Sequence, residues 1–231
     1  MKPLVMLPGM MCDARLFAPQ IAALSSSNPI LYAPIGGHDT VQALAAEVLS
    51  YAPPRFVLAG LSMGGIVAME IIRQQPQRVV SVALMDTNHL AERDDVKARR
   101  GPQIASVSSG GLGRVMAEEM KPNYLTDGPN REAILNLCMD MALSLGPDVF
   151  INQSKALRDR PDQSDTLRGY TGQALILCGK DDALCPVSRH ALMHELLPNS
   201  CFEVIEQAGH LPTLEQPERT TAALCRWLEA L

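Results

Sequence analysis

Three residues of this chain are of the types that together perform acyl transfer: Ser62, Asp182 and His210. Ser62 lies in "AGLSMGGIVAME" (59–70), flanked by Gly60 and Gly64 in a G-x-S-x-G pattern. A serine hydroxyl is a weak nucleophile until an imidazole takes its proton. The imidazole in turn needs a carboxylate on its far nitrogen to hold one tautomer. Asp182 closes the apolar run "GQALILCGKDD" (172–182), and His210 closes "SCFEVIEQAGH" (200–210). The glycines suit the same chemistry. Gly60 and Gly64 carry no side chain where a strand would reverse into a helix, and Gly65 lets that helix sit close to a sheet. The first turn of such a helix directs free N–H groups toward Ser62.

The elements that must position these groups alternate along the chain. "KPLVML" (2–7), "NPILYAP" (28–34), "RFVLAG" (55–60), "VVSVALMD" (79–86), "GQALILCGKDD" (172–182, ending in an acidic turn) and "SCFEVIEQAGH" (200–210, running into a loop) read as strands. "APQIAALSS" (18–26), "TVQALAAEVLSY" (40–51), "GGIVAMEIIRQQP" (64–76), "SRHALMHELLP" (188–198) and "QPERTTAALCRWLEAL" (216–231) carry helical spacing. The strands lack polar–apolar alternation, which predicts an α/β fold with a mostly parallel central sheet covered by helices on both faces. Functional groups on such a sheet gather beyond the carboxyl ends of its strands, where Ser62, Asp182 and His210 all fall.

Between Thr87 and Gly172 the strand signal lapses. "LGRVMAEEM" (112–120), "NREAILNLCMDMALSL" (130–145) and "PDVFINQSKALRD" (147–159) are helical in period. The expected division is a core of residues 1–87 and 169–231, with 88–168 inserted as a helical lid, since so long a segment is not a structureless loop in a compact domain.

Composition narrows the partners. Apolar residues make up 47% and the formal net charge is −5, so nothing favours nucleic acid or an anionic membrane. "KARRGPQ" (97–103) reads as solvated surface. No run approaches 18 apolar residues. "MKPLVMLPGMMCDAR" reads as a buried strand entering a loop rather than a leader, so a cytoplasmic location is expected. Six scattered cysteines without C-x-x-C read as free thiols, and five histidines without H-E-x-x-H predict no metal. No cofactor is expected, and self-association into a homo-oligomer stays open. His38 reads as a turn residue, His190 and His194 as packing or surface on one helix, and Cys12 and Cys185 as packing. Asp86 reads as an Asx cap at a strand end.

"LPGMMCD", "GLSMGG", "LMDTN", "LCGKDDALCP" and "AGHLPTLEQPE" occur in an order and at spacings that resemble the α/β-hydrolase superfamily over essentially the whole chain. The nearest group is the small serine esterases similar to pimeloyl-carrier-protein methyl ester esterases. The serine–acid–histidine order is also that of elbow hydrolases. The resemblance implies that Asp182, three residues after Gly179 in G-x-x-D-x-x-x-P, is the acid, leaving Asp181 as a solvent or loop-capping group and Asp86, after the earlier strand where some members of the family place their acid, as a second rival. It implies backbone oxyanion donors at Met63 and Met10. Pro8 stands where the family usually has histidine, which leaves Met11 as a rival donor.

Met11, His89, Met116, Met120 and Met139 are the candidate pocket residues. Lid methionines and few aromatic residues suit a small or medium apolar acyl group. The expected function is therefore hydrolysis of a small-molecule ester by water through an acyl-enzyme. The same trio also serves carbon–carbon bond hydrolases, lactonases, thioesterases and perhydrolases. A non-catalytic ligand-binding protein is a further reading, disfavoured by the intact trio.

Overall fold

The computed structural model describes residues 2–231. Strands β1 (Leu4–Leu7), β2 (Ile30–Tyr32), β3 (Phe56–Leu61), β4 (Val79–Met85), β5 (Gln173–Gly179) and β6 (Ser200–Ile205) form one sheet in the order β2-β1-β3-β4-β5-β6. Each neighbouring pair is parallel. Side chains alternate across a strand, so adjacent residues feed opposite faces. Val5, Leu7, Leu58 and Ile176 accordingly belong to one apolar core, and Leu4, Met6, Ala59 and Leu177 to the other. Burial on both faces explains why the strands read as continuous apolar runs.

Helices cover the two faces: α1 (Ala18–Leu24), α2 (Val41–Tyr51), α3 (Met63–Gln74), and, late in the chain, α9 (Val187–Leu196), α10 (Pro212–Glu215) and α11 (Pro217–Glu229). The Thr40 hydroxyl caps α2 by accepting from the Ala43 N–H at 3.2 Å. Pro217 opens α11, where its missing N–H costs nothing.

Between β4 and β5 lie α4 (Asp94–Ser108), α5 (Leu112–Val115), α6 (Arg131–Leu145), α7 (Pro147–Arg158) and α8 (Ser164–Gly169). These make the chain an α/β-hydrolase fold with an inserted helical region. Residues 112–120, expected as one helix, start as α5 but continue as a wider π-type turn over Met116–Met120 and a tight turn over Lys121–Asn123. Helix α4 was not foreseen. Its buried Arg100 and Val107 are seven residues apart and share one face. Gly101 and Pro102 interrupt that stripe in the sequence without ending the helix.

The strand order reverses between β1 and β3, the place where open α/β sheets bind ligands. The loop carrying Met10 leaves β1 there, and Ser62 leaves β3. No single helix among the described residues is long and apolar enough to cross a membrane.

Candidate active site

Ser62 stands between the last residue of β3 and the first of α3 with φ 54° and ψ −113°. A non-glycine residue at such a φ is strained, and the strain persists only where packing enforces it. Hydrogen bonds on both sides of the residue enforce it here, one of them from the Gly65 N–H to the Ser62 carbonyl at 3.0 Å. The Ser62 N–H donates to the Met85 carbonyl at 2.8 Å, its carbonyl accepts from Ile66 N–H at 3.2 Å, and Thr87 Oγ1 donates to the same carbonyl at 2.6 Å. A Cβ on Gly60 would strike the Gly64 backbone, and one on Gly64 would strike the Leu7 carbonyl. The turn therefore admits only glycine at both places.

His210 Nε2 lies 2.9 Å from Ser62 Oγ, and His210 Nδ1 lies 2.8 Å from Asp182 Oδ2. With Nδ1–H donating to the carboxylate, Nε2 is free to accept the serine proton. Asp182 Oδ1 accepts from the backbone N–H groups of Leu184 (2.8 Å) and Cys185 (3.0 Å), which fixes the carboxylate plane. Burial raises the Asp182 pKa, but the attraction and hydrogen bond of His210 and the two backbone donors outweigh it, and the net direction is down. Asp181, its neighbour, is exposed.

Asp86, the other rival acid, is fully buried at the end of β4, and its Oδ1 accepts from Gly179 N–H at 2.8 Å. Burial first, then the charge of Asp182, holds its pKa well above the usual carboxylate range. Both effects favour the neutral form of Asp86, whereas His210 and the two backbone donors favour the charged form of Asp182. Environments that drive two carboxyls apart in this way assign their roles, and the charge belongs to Asp182.

Glu215, which sequence reasoning did not single out, clamps the histidine loop. Its Oε2 accepts from the N–H of Gly209 (2.9 Å) and Leu211 (3.1 Å), and Oε1 accepts from Thr126 N–H at 2.9 Å. The His210 N–H donates to the Tyr124 carbonyl at 2.7 Å, so the inserted region also holds the histidine. Gln153 of α7 was missed as well. It accepts from the Met11 N–H at 2.8 Å and donates to the Ile35 carbonyl at 2.9 Å. The signal was weak in both cases, since each is one polar residue on an otherwise ordinary helix.

A cavity of about 290 Å³ opens over Ser62 and His210, and Met10 and Met120 line it. The other proposed pocket residues lie elsewhere. Met11 is buried with its amide spent on Gln153, which removes it as the rival oxyanion donor. Met116 and Met139 pack into the core beneath the inserted helices, and His89 is buried away from the cavity. Ordinary helix packing consumed those methionines.

Cys12 and Cys185 do line the cavity, but burial pushes both thiols well up, away from the reactive thiolate. Asp182, Cys185 and His210 present donor atoms within 4.8 Å of one another, though a bridging ion there would displace the Asp182–His210 hydrogen bond. His190 is a buried neutral imidazole: Nε2 accepts from Thr87 N–H at 3.0 Å, and burial lowers its pKa to about 4. His38 and His194 are exposed.

The "KARRGPQ" segment corrects another expectation. Arg100 of α4 is buried and pairs with Glu92 at 2.7 Å, because α4 lays this face against α7 and the cavity rather than in solvent.

A strained serine on a strand-to-helix turn, hydrogen-bonded to a histidine that a buried carboxylate holds, makes this protein a serine hydrolase. Its sequence matches the model of the Alpha/beta hydrolase family over residues 4–224, and the chain belongs to that family. It is 29% identical over 213 residues to a pimeloyl-[acyl-carrier protein] methyl ester esterase of Klebsiella pneumoniae (strain 342), covering 87% of this chain and 79% of that protein. Among solved structures it is similar to a thermophilic esterase from Thermogutta terrifontis, with TM-score 0.90, 29% identity and coverage of 100% of this chain and 90% of that one. An enol-lactonase from Burkholderia xenovorans LB400 shares the fold, with TM-score 0.87 at 20% identity over 99% of this chain and 91% of that one. Geometry and esterase relatives together support action on an ester bond.

Proposed function

We propose that the protein hydrolyses carboxylic esters of small or medium acyl groups in two acyl-transfer steps. The observation that carries this reading is the unbroken chain Asp182–His210–Ser62, with links of 2.8 and 2.9 Å, at the floor of a small cavity. Ser62 Oγ attacks the ester carbonyl while His210 Nε2 accepts its proton. His210 then protonates the departing alcohol and afterwards activates water to release the acid. The backbone N–H groups of Met63 and Met10 are the proposed oxyanion donors. Support comes from Met63 being the first residue of α3, and from Met10 lining the cavity while the Met11 amide is engaged elsewhere.

Residues 88–168 are the proposed lid. Met120, Tyr124 and Leu157 from that segment line the cavity together with Leu61 and Ile66 of the core, which supports a pocket for a short apolar chain. Each methylene buried there contributes up to ~0.8 kcal/mol. Across C2 to C12 p-nitrophenyl esters, kcat/KM should therefore rise about fourfold per carbon at first and fall once the cavity is full. A flat profile, or activity confined to the longest chains, would contradict the assigned pocket.

A further inference from the structure

The chain carries a formal net charge of −5, yet its catalytic cavity is lined by five arginines, among them Arg99, Arg100, Arg160 and Arg189, against two glutamates, Glu92 and Glu119. Three of these charges are buried together. Glu92 Oε2 accepts from Arg100 Nη2 at 2.7 Å, and Glu92 Oε1 from Arg160 Nη2 at 2.8 Å. The side chains of the three are exposed by 6 to 10% only. One carboxylate thus serves two guanidiniums, which leaves one positive charge uncompensated in a place poorly reached by water.

Hydrogen-bonding capacity is left over as well. Arg160 Nε donates to the Leu90 carbonyl at 3.0 Å, but buried Arg100 Nε has no partner. Arg100 Nη1 reaches only the Met10 sulfur, a soft acceptor, at 3.6 Å. Arginine is always charged, and a buried unpaired charge is costly unless a counter-ion meets it. Met10 lies on the loop leaving β1, so the surplus charge sits beside the reacting centre and on the wall of the same cavity.

We propose that the Arg100–Glu92–Arg160 cluster is a carboxylate subsite, and that the substrate is an ester bearing a second, free carboxylate a few carbons from the scissile carbonyl: a monoester of a short dicarboxylic acid. This rests on the hydrolase reading above and refines its acyl group. Apolar residues such as Leu61, Ile66 and Leu157 accept the methylenes, and the arginines receive the far carboxylate. No chemistry is added to the acyl transfer. The cluster orients the substrate and selects it.

The test compares monomethyl esters of C4 to C6 dicarboxylic acids with methyl esters of the monocarboxylic acids of equal length, by pH-stat. Charge-assisted hydrogen bonds to a guanidinium should favour the anionic ester in kcat/KM by roughly 10- to 100-fold at the best length. Arg100→Met should bring that ratio to about one. Glu92→Gln removes the competing carboxylate while keeping hydrogen-bonding groups, and should hold or raise the ratio; it remains informative if Arg100→Met does not fold. Neutral esters turned over as well as, or better than, anionic ones would overturn the subsite and leave the hydrolase reading standing. A lower ratio in Glu92→Gln would also overturn it. Inertness toward every ester, with Ser62 unreactive to a fluorophosphonate, would instead remove the hydrolase reading, and the subsite with it.

Discussion

Replacing Asp182 by Asn should lower kcat by roughly 10³–10⁴ while leaving the fold intact. The asparagine keeps the acceptor that Leu184 and Cys185 N–H groups use, but it removes the charge that balances the imidazolium and can donate toward Nδ1, reversing the tautomer. Asp86→Asn should behave differently. Burial and the neighbouring Asp182 charge both favour the neutral form of Asp86, and an amide of the same shape mimics that form. It still accepts from Gly179 N–H, and kcat should stay within about tenfold of the parent. Steady-state kinetics on one ester, with circular dichroism to confirm folding, separates the two. Abolished turnover in folded Asp86→Asn, with Asp182→Asn largely active, would move the catalytic acid to the end of β4.

The second large effect is expected at the turn itself. In Gly64→Ala the new methyl meets the carbonyls of Leu7 and Pro8, which are backbone and cannot swing aside. Either α3 moves off the sheet or the loop after β1 shifts. Overpacking of this kind costs about 3 kcal/mol, which in a domain of this size lowers Tm by about 6–12 °C. The same shift displaces the loop that carries Met10 relative to Ser62. A misplacement near 1 Å at a reacting centre costs about 100-fold in rate. Gly113→Ala is the matched control, since a Cβ there has nothing within 4 Å and should be tolerated. Thermal melts and kcat on the two variants measure both parts. Gly64→Ala with the parent's melting point and activity would mean the elbow is not packed as described.

Much of this architecture was legible because its causes are local. Ser62 could be read from the glycines around it: Gly60 is required by backbone within the turn, and Gly64 by the backbone of Leu7 and Pro8. Strands buried on both faces announce themselves as apolar runs, and so β1 to β6 emerged near their true positions. Strand-exit geometry required only that one of Asp181 and Asp182 face His210; the resemblance through G-x-x-D-x-x-x-P chose Asp182, and the structure buries that residue and leaves Asp181 in solvent.

The rest depended on partners distant in sequence. Glu215 matters because the inserted region brings Thr126 to it, and Gln153 because α7 crosses the loop after β1. Arg100 looked like solvated surface in a basic stretch. Its burial depends on Glu92, eight residues earlier, and Arg160, sixty residues later, meeting it in one wall. Methionines gave the opposite error. Their helical spacing is the same whether a face packs on a neighbouring helix, as at Met116, or opens on a cavity, as at Met120.

The central claim is that Ser62 is the nucleophile, activated by His210. The most direct measurement is to react the folded protein with a fluorophosphonate, digest it, and locate the adduct by mass spectrometry. A single adduct on the peptide containing Ser62, absent from Ser62→Ala and formed in step with loss of esterase activity, is the predicted result. An adduct on another residue, or none in protein that still hydrolyses esters, would contradict it.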